Sequence, residues 1–166
     1  MAAVQVQNQT IVLSEMLENT TQSLRQTAEA KSVSLNLNIP GISIETDPGL
    51  LDTIVRNLVA NAIKFSYSGQ TVSVAAHVEN NFVTVSVSDT GTGMSGETLD
   101  NLFQLDKAKS LPGTANETGT GLGLFLSHEF AVRLGGKIEV SSKENEGSVF
   151  SIVLPLKEEN EDNIGN

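Results

Sequence analysis

Two asparagines and a lysine, Asn57, Asn61 and Lys64, stand at i, i+4 and i+7 in a stretch patterned as a helix. They therefore share one side of it, about 100° around from the apolar stripe at ~100° per residue. Asparagine is a poor helix former, because its side chain competes for backbone hydrogen bonds. A pair of them aligned with a lysine asks for a chemical reason. An amide oxygen is a hard, neutral ligand suited to Mg²⁺, an ion that keeps several waters and shares phosphate oxygens with its protein ligand. A lysine one turn further on meets phosphate as a point charge. Any one of these side chains alone reads as a solvated helix edge.

A second group is Asp89-Thr90-Gly91-Thr92-Gly93, at the end of an alternating strand pattern. An ionised carboxylate accepts hydrogen bonds only, so it suits an exocyclic amino group such as that of adenine. Glycines beside it remove the Cβ atoms that would obstruct a flat base. The third group is Gly119-Thr120-Gly121-Leu122-Gly123, directly opening a helix pattern. Free amides and the positive end of the helix dipole favour phosphate there. Gly91, Gly93 and Gly96 also match the G-x-G-x-x-G fingerprint of dinucleotide-binding folds. That motif needs the first strand–helix turn of a repeating β-α-β series and an acid on the next strand. Here the glycines come late, and the nearest acid at that distance, Glu117, lies in a polar loop. The dinucleotide reading fails on context.

The elements that must position these groups are legible in outline. Residues 14–31 predict an amphipathic helix capped by Ser14, and 32–39 alternate as a half-buried strand. Pro40-Gly41 predicts a turn returning into a short strand over 42–46. Asp47-Pro48 opens the next helix, with Asp as N-cap and Pro in the first helical position. Its stripe of Leu51, Val55, Leu58, Ala62 and Phe65 faces the core. Strands over 70–79 and 82–89 join at Asn80-Asn81, a hairpin turn. A short helix at 96–103 precedes a polar loop, 104–120, long enough to be a lid. A helix from 122 to 134 ends at Gly135-Gly136, and strands at 137–142 and 148–155 close the domain. Strands in adjacent pairs between helices predict an α+β two-layer sandwich, with a mixed, mostly antiparallel sheet of about five strands and three main helices on one face.

With 166 residues the chain suits one domain. It has no cysteine, so disulfides and thiol chemistry are excluded, and two histidines make a histidine-rich metal site improbable. The net charge is −10, of which residues 157–166, with four acids and one lysine, carry −3. An acidic body argues against a nucleic-acid partner. It does not exclude a nucleotide, since amides, a lysine and a metal make a pocket locally positive. No apolar run is long enough to span a membrane. Residues 1–10 read as an extension, 11–156 as the functional domain and 157–166 as a disordered acidic tail.

With these motifs in place, the chain resembles the catalytic ATP-binding domain of sensor histidine kinases. "NLVANAIKFS" looks like their N box, "DTGTGM" their first glycine box, "LF" at 102–103 the start of the F box and "GTGLGL" their second glycine box. "LGGKIEVSSKENEGSVFSIVLP" is similar to the ending of such domains. The resemblance covers about residues 11–156 and implies the Bergerat-type fold, with ATP and Mg²⁺ as cofactors. It implies that Asn61 holds Mg²⁺, that Asn57 lies near the metal waters and phosphates, and that Lys64 contacts phosphate. Asp89 would select adenine, and Gly91, Gly93, Gly119, Gly121 and Gly123 would let the backbone close on the nucleotide. Phe65 would flank the base or ribose, and Ser148 would assist Asp89 through water. The second aromatic of the F box is missing, since Gln104-Leu105-Asp106 follows Phe103; either Lys107 or Lys109 is the candidate for a lid contact to the γ-phosphate.

Hydrolysing relatives carry glutamate where this chain has Asn57, and an amide does not take a proton from water. The resemblance thus implies γ-phosphoryl transfer to a histidine on a separate dimerisation hairpin. His128 and His77 fall where the family has no acceptor and are expected to be structural. The remaining partners implied are a response regulator downstream, with no direct membrane contact by this domain, a cytoplasmic location and a monomeric state. Two alternatives stay open: a nucleotide-sensing module without phosphotransfer, and a serine kinase of the anti-sigma type.

Overall fold

A computed structural model describes residues 5–104, 111–117, 119 and 121–156. The polypeptide begins with β1 (Gln9–Val12) and α1 (Leu13–Ala30), followed by β2 (Ser34–Asn38) and β3 (Ser43–Thr46). Next come α2 (Pro48–Phe65), β4 (Thr71–Glu79), β5 (Phe82–Asp89) and the short α3 (Gly96–Asp100). After the loop, α4 (Gly123–Arg133), β6 (Lys137–Lys143) and β7 (Gly147–Pro155) complete the fold. Five strands form one sheet in the order β2-β4-β5-β7-β6, parallel only between β2 and β4. This is the mixed, mostly antiparallel α+β sandwich expected from the alternation of elements. The acidic stretch 157–166 lies outside the described residues.

One sheet face is apolar and the other is rich in serine. Val72, Val74, Val83, Val85, Ile152 and Leu154 are buried against the helices, while Ser73 and Ser88 lie opposite each other on the far side. Strand alternation produces that split without further instruction. On α2, Leu51, Ile54, Val55 and Leu58 are wholly or almost wholly buried. Each contributes roughly 2 kcal/mol by leaving water. That outweighs the helix-propensity cost of Asn57 and Asn61, at most about 0.7 kcal/mol apiece.

Short-range backbone chemistry sets the ends of the elements. The Asp47 carboxylate accepts from the Leu50 amide at 3.1 Å and Pro48 occupies the first turn. Asn80 and Asn81 both adopt positive φ, as a two-residue type I′ hairpin requires. Gly135, at φ +78°, ends α4: its amide donates to Val132 and that of Gly136 to Ala131, a Schellman closure.

Three expectations differ. Ser14 is not the cap of α1, because β1 runs straight into the helix and the Leu13 amide donates to the Ile42 carbonyl at 2.9 Å. The strand after Pro40-Gly41 does not pair back on β2. It pairs antiparallel with β1, in a separate two-stranded ribbon that includes Gln9 and Thr10 of the expected extension. The helix predicted over 96–103 stops at Asp100, with 101–103 in a turn. Among the described residues no helix is long and apolar enough to cross a membrane.

Candidate functional site

Between α2, the end of β5 and the start of α4 lies a cavity of about 630 Å³. That is within the range of small-molecule sites, roughly 300–1,000 Å³. Asn61, Lys64 and Phe65 line it from α2, and Asp89 and Gly93 from the end of β5. Gly119, Gly121 and Gly123 line it from the loop and α4, and Ser148 from β7. The three sequence groups therefore face one space. Lys107 and Lys109 lie outside the described residues.

Asp89 is 8% exposed. Its Oδ1 accepts from the Gly91 amide at 2.9 Å. Burial pushes its carboxyl above the ordinary range, and hydrogen bonds from the Gly91 and Ser148 backbone pull back against that. Gly91 does not itself line the cavity. A Cβ there would overlap the Phe65 carbonyl oxygen, and one at Gly93 would overlap that of Lys143. Gly147, at φ +121°, is similarly closed against the Asp89 carbonyl. Thr92 ties the turn to both neighbours, its amide donating to Phe65 and its carbonyl accepting from Asn145. Ser148 is buried and its hydroxyl shares a 2.8 Å hydrogen bond with Ser142.

The opposite end is built differently. Leu122, at the N-cap position of α4, makes no side-chain cap hydrogen bond, and the positive end of the helix dipole there favours an anion. The Lys64 ammonium lies 5.1 Å from the Phe65 ring centroid, within cation–π range. Asn57 does not line the cavity: its Nδ2 donates to the Ser127 hydroxyl at 3.2 Å and the Gly123 carbonyl at 3.4 Å. It therefore joins α2 to the first turn of α4. His128 stacks on Phe103 with centroids 5.2 Å apart, and its buried Nδ1 has no hydrogen-bond partner among the described residues. His77 is exposed on β4.

Sequence reasoning missed the apolar wall at Phe150 and the serine that holds Asn57. An apolar residue in a helix or strand gives no local sign of facing a ligand rather than the core. Met94, Leu102 and Leu124, which also line the cavity, lie within the motifs "DTGTGM", "LF" and "GTGLGL".

The residues present fit a nucleotide with Mg²⁺. Among the described residues there is no group of three or more histidine, cysteine, aspartate or glutamate side chains able to hold a metal. A neutral amide beside a lysine, facing a helix start, is instead the donor set for an ion carried in by phosphates. At the far end, glycines whose Cβ atoms cannot be accommodated flank a buried acceptor.

Residues 46–158 match the family described as histidine kinase-, DNA gyrase B-, and HSP90-like ATPase. The chain is 36% identical over 157 residues to the sensor histidine kinase GacS of Pseudomonas protegens, covering 90% of this chain and 17% of that protein. It is 37% identical over 131 residues to the adaptive-response sensory kinase SasA of Prochlorococcus marinus, covering 76% of this chain and 34% of that one. The chain thus spans about a third or less of these relatives. The catalytic domain of histidine kinase ThkA superposes with a TM-score of 0.77 at 22% identity, over 90% of this chain and 96% of that one. Full-length ShkA in complex with AMPPNP gives 0.78 at 22% identity, over 93% and 32% respectively.

Proposed function

Because the chain belongs to the family of histidine kinase-, DNA gyrase B-, and HSP90-like ATPases, we propose that it is the catalytic domain of a sensor histidine kinase. It binds ATP with Mg²⁺ and passes the γ-phosphoryl group to a histidine on a separate dimerisation hairpin. The observation that carries this reading is the shared cavity: a buried carboxylate at one end, an amide–lysine pair and the start of α4 at the other. ShkA, a protein of the same fold, is known in complex with an ATP analogue.

The residues divide the work. Asp89 accepts from the adenine amino group, and its carboxylate is held in place by the Gly91 amide. Ser148, paired with it across β5 and β7, supports that contact through water. Phe65 covers the base or ribose. Asn61 holds Mg²⁺, which spreads the charge of the triphosphate, and Lys64 adds a positive charge beside it. The amides around Gly121 and Gly123 receive phosphate oxygens.

In the transfer, an imidazole nitrogen of the acceptor attacks the γ-phosphorus. The bond to the β–γ bridging oxygen breaks and ADP leaves; the imidazole gives up its N–H proton to solvent. No residue of this chain need take a proton from water. Position 57 offers an amide whose NH₂ is already committed to Gly123 and Ser127, so hydrolysis is slow. The domain is a cytoplasmic monomer in isolation, and a response regulator takes the phosphoryl group from the hairpin.

Mixing the domain with ATP, Mg²⁺ and a histidine-bearing hairpin of the same kinase tests the reading. Acid-labile phosphohistidine on the hairpin supports it. ATP binding without any such product would favour a nucleotide-sensing module instead.

A further inference from the structure

Resting on that reading, we propose that Lys31 and Glu117 form a clasp that docks the second half of the loop onto the end of α2. Lys31 is then a positioning residue for the phosphate end of the site, although it does not line the cavity.

Lys31 sits just past the end of α1, with a side chain only 13% exposed. Its Nζ donates to the carbonyls of Ile63 at 3.0 Å and Lys64 at 2.8 Å, and to Glu117 Oε2 at 2.7 Å. An ammonium has three protons, and these acceptors use all of them. Two are carbonyls from the last turn of α2, where the helix dipole favours a cation. The third is the only carboxylate among them, and it comes from the loop. Both parts matter, because a largely desolvated ammonium without its carboxylate is costly.

Glu117 is fixed from its own side as well. Its Oε1 accepts from the Ala115 amide at 2.8 Å, and its carbonyl accepts from the Gly113 amide at 3.0 Å. Burial acts to raise its carboxyl pKa, but the Lys31 hydrogen bond, the two amides at 115 and 117 and the ammonium charge together hold it below the ordinary value. The Thr114 amide donates to the Lys64 carbonyl at 3.1 Å, and its hydroxyl donates to the carbonyl of Ser66. A Cβ on Gly113 would overlap Glu117 Oε1 and the Lys64 side chain. The loop therefore seals the backbone of Lys64 while that lysine's side chain lines the cavity. Gly119 and Gly121 follow within four residues of Glu117, so anchoring Glu117 limits where the phosphate-facing glycines can go.

Two measurements test the clasp. In nucleotide-free protein, hydrogen exchange at the Thr114 amide, which donates to the Lys64 carbonyl, reads docking, and exchange at the Gly113 amide reads the turn inside the loop that Glu117 closes. Glu117→Gln leaves Lys31 on its two helix carbonyls, so the fold should hold while exchange at those amides rises by about tenfold. Release of a fluorescent ATP analogue in Mg²⁺ should speed up by roughly three- to tenfold in the same variant. Lys31→Met should do the same, and the double variant should release no faster than the faster single, because one interaction is lost in all three. Unchanged exchange in Glu117→Gln, or release rates that multiply in the double variant, would overturn the proposal. Wild-type protein that never binds the analogue would overturn the nucleotide reading and the positioning role with it, leaving only the docking seen by exchange.

Discussion

The two ends of the cavity are held by different means. Around Asp89 the backbone does the work: Gly91, Gly93 and Gly147 each lie against another chain segment so closely that no Cβ fits, and the carboxylate is bonded to an adjacent amide. Around Asn61 the site depends on side chains and a loop: Lys64 on Phe65, Asn57 on Ser127, Glu117 on Lys31. A rigid aromatic base suits a preformed slot, whereas a flexible triphosphate with its ion, which must later give up its terminal phosphate, suits parts that adjust. Adding a Cβ to a glycine at the first end should therefore cost stability, and adding one at the second should cost affinity.

Two glycine variants separate these outcomes most widely. Gly91→Ala drives a methyl group into the Phe65 carbonyl, and should destabilise the fold by about 3 kcal/mol or more in chemical denaturation. Gly123→Ala meets only the Asn57 side chain, at 3.6 Å, inside a helix that prefers alanine. Its stability should stay level or rise by up to about 1 kcal/mol, while ATP affinity measured by calorimetry falls. Equal stability losses in the two variants would erase the distinction.

The next largest effect is on affinity. Asp89→Asn preserves an oxygen acceptor for the Gly91 amide and removes a buried charge. ATP affinity should drop by about 100-fold, with the melting temperature unchanged or higher. At the other end, Asn61→Ala should lower ATP affinity by about tenfold in Mg²⁺ and little in EDTA. A loss of the same size in both conditions would move Asn61 away from the metal.

A smaller signal is the pH dependence of stability. Asp89 has its pKa raised on folding, so its contribution is fully present below the ordinary aspartate value near 3.8 and is lost as pH rises through the raised value. Denaturation of wild type and Asp89→Asn across that interval should show the gap widening in favour of the variant as pH rises. Parallel curves would mean that the carboxylate is not desolvated as described.

The parts legible in the sequence were those fixed by neighbouring residues. Asp47-Pro48, Asn80-Asn81 and Gly135-Gly136 mark their turns and caps through φ preference and local hydrogen bonds. The three site groups could be read because asparagine in a helix, or glycine in clusters, is out of place without a reason. What escaped was fixed across the chain. The β1–β3 ribbon needs segments some 35 residues apart to meet, Asn57 finds Ser127 at a separation of 70, and Lys31 finds Glu117 at 86. Nothing local at Lys31 distinguishes it from a solvated lysine after a helix, and Ser14 looks like a cap until β1 removes the need for one.

The central claim is that one cavity takes an adenine at Asp89 and its triphosphate at Asn61. It is tested most directly by titrating ATP and GTP, each with Mg²⁺, into the wild type and Asp89→Asn. ATP should bind the wild type well and GTP poorly, since guanine presents a carbonyl oxygen where adenine presents an amino group, and the preference should collapse in the variant. Equal binding of both nucleotides to the wild type, or a preference that survives loss of the carboxylate, would contradict the account.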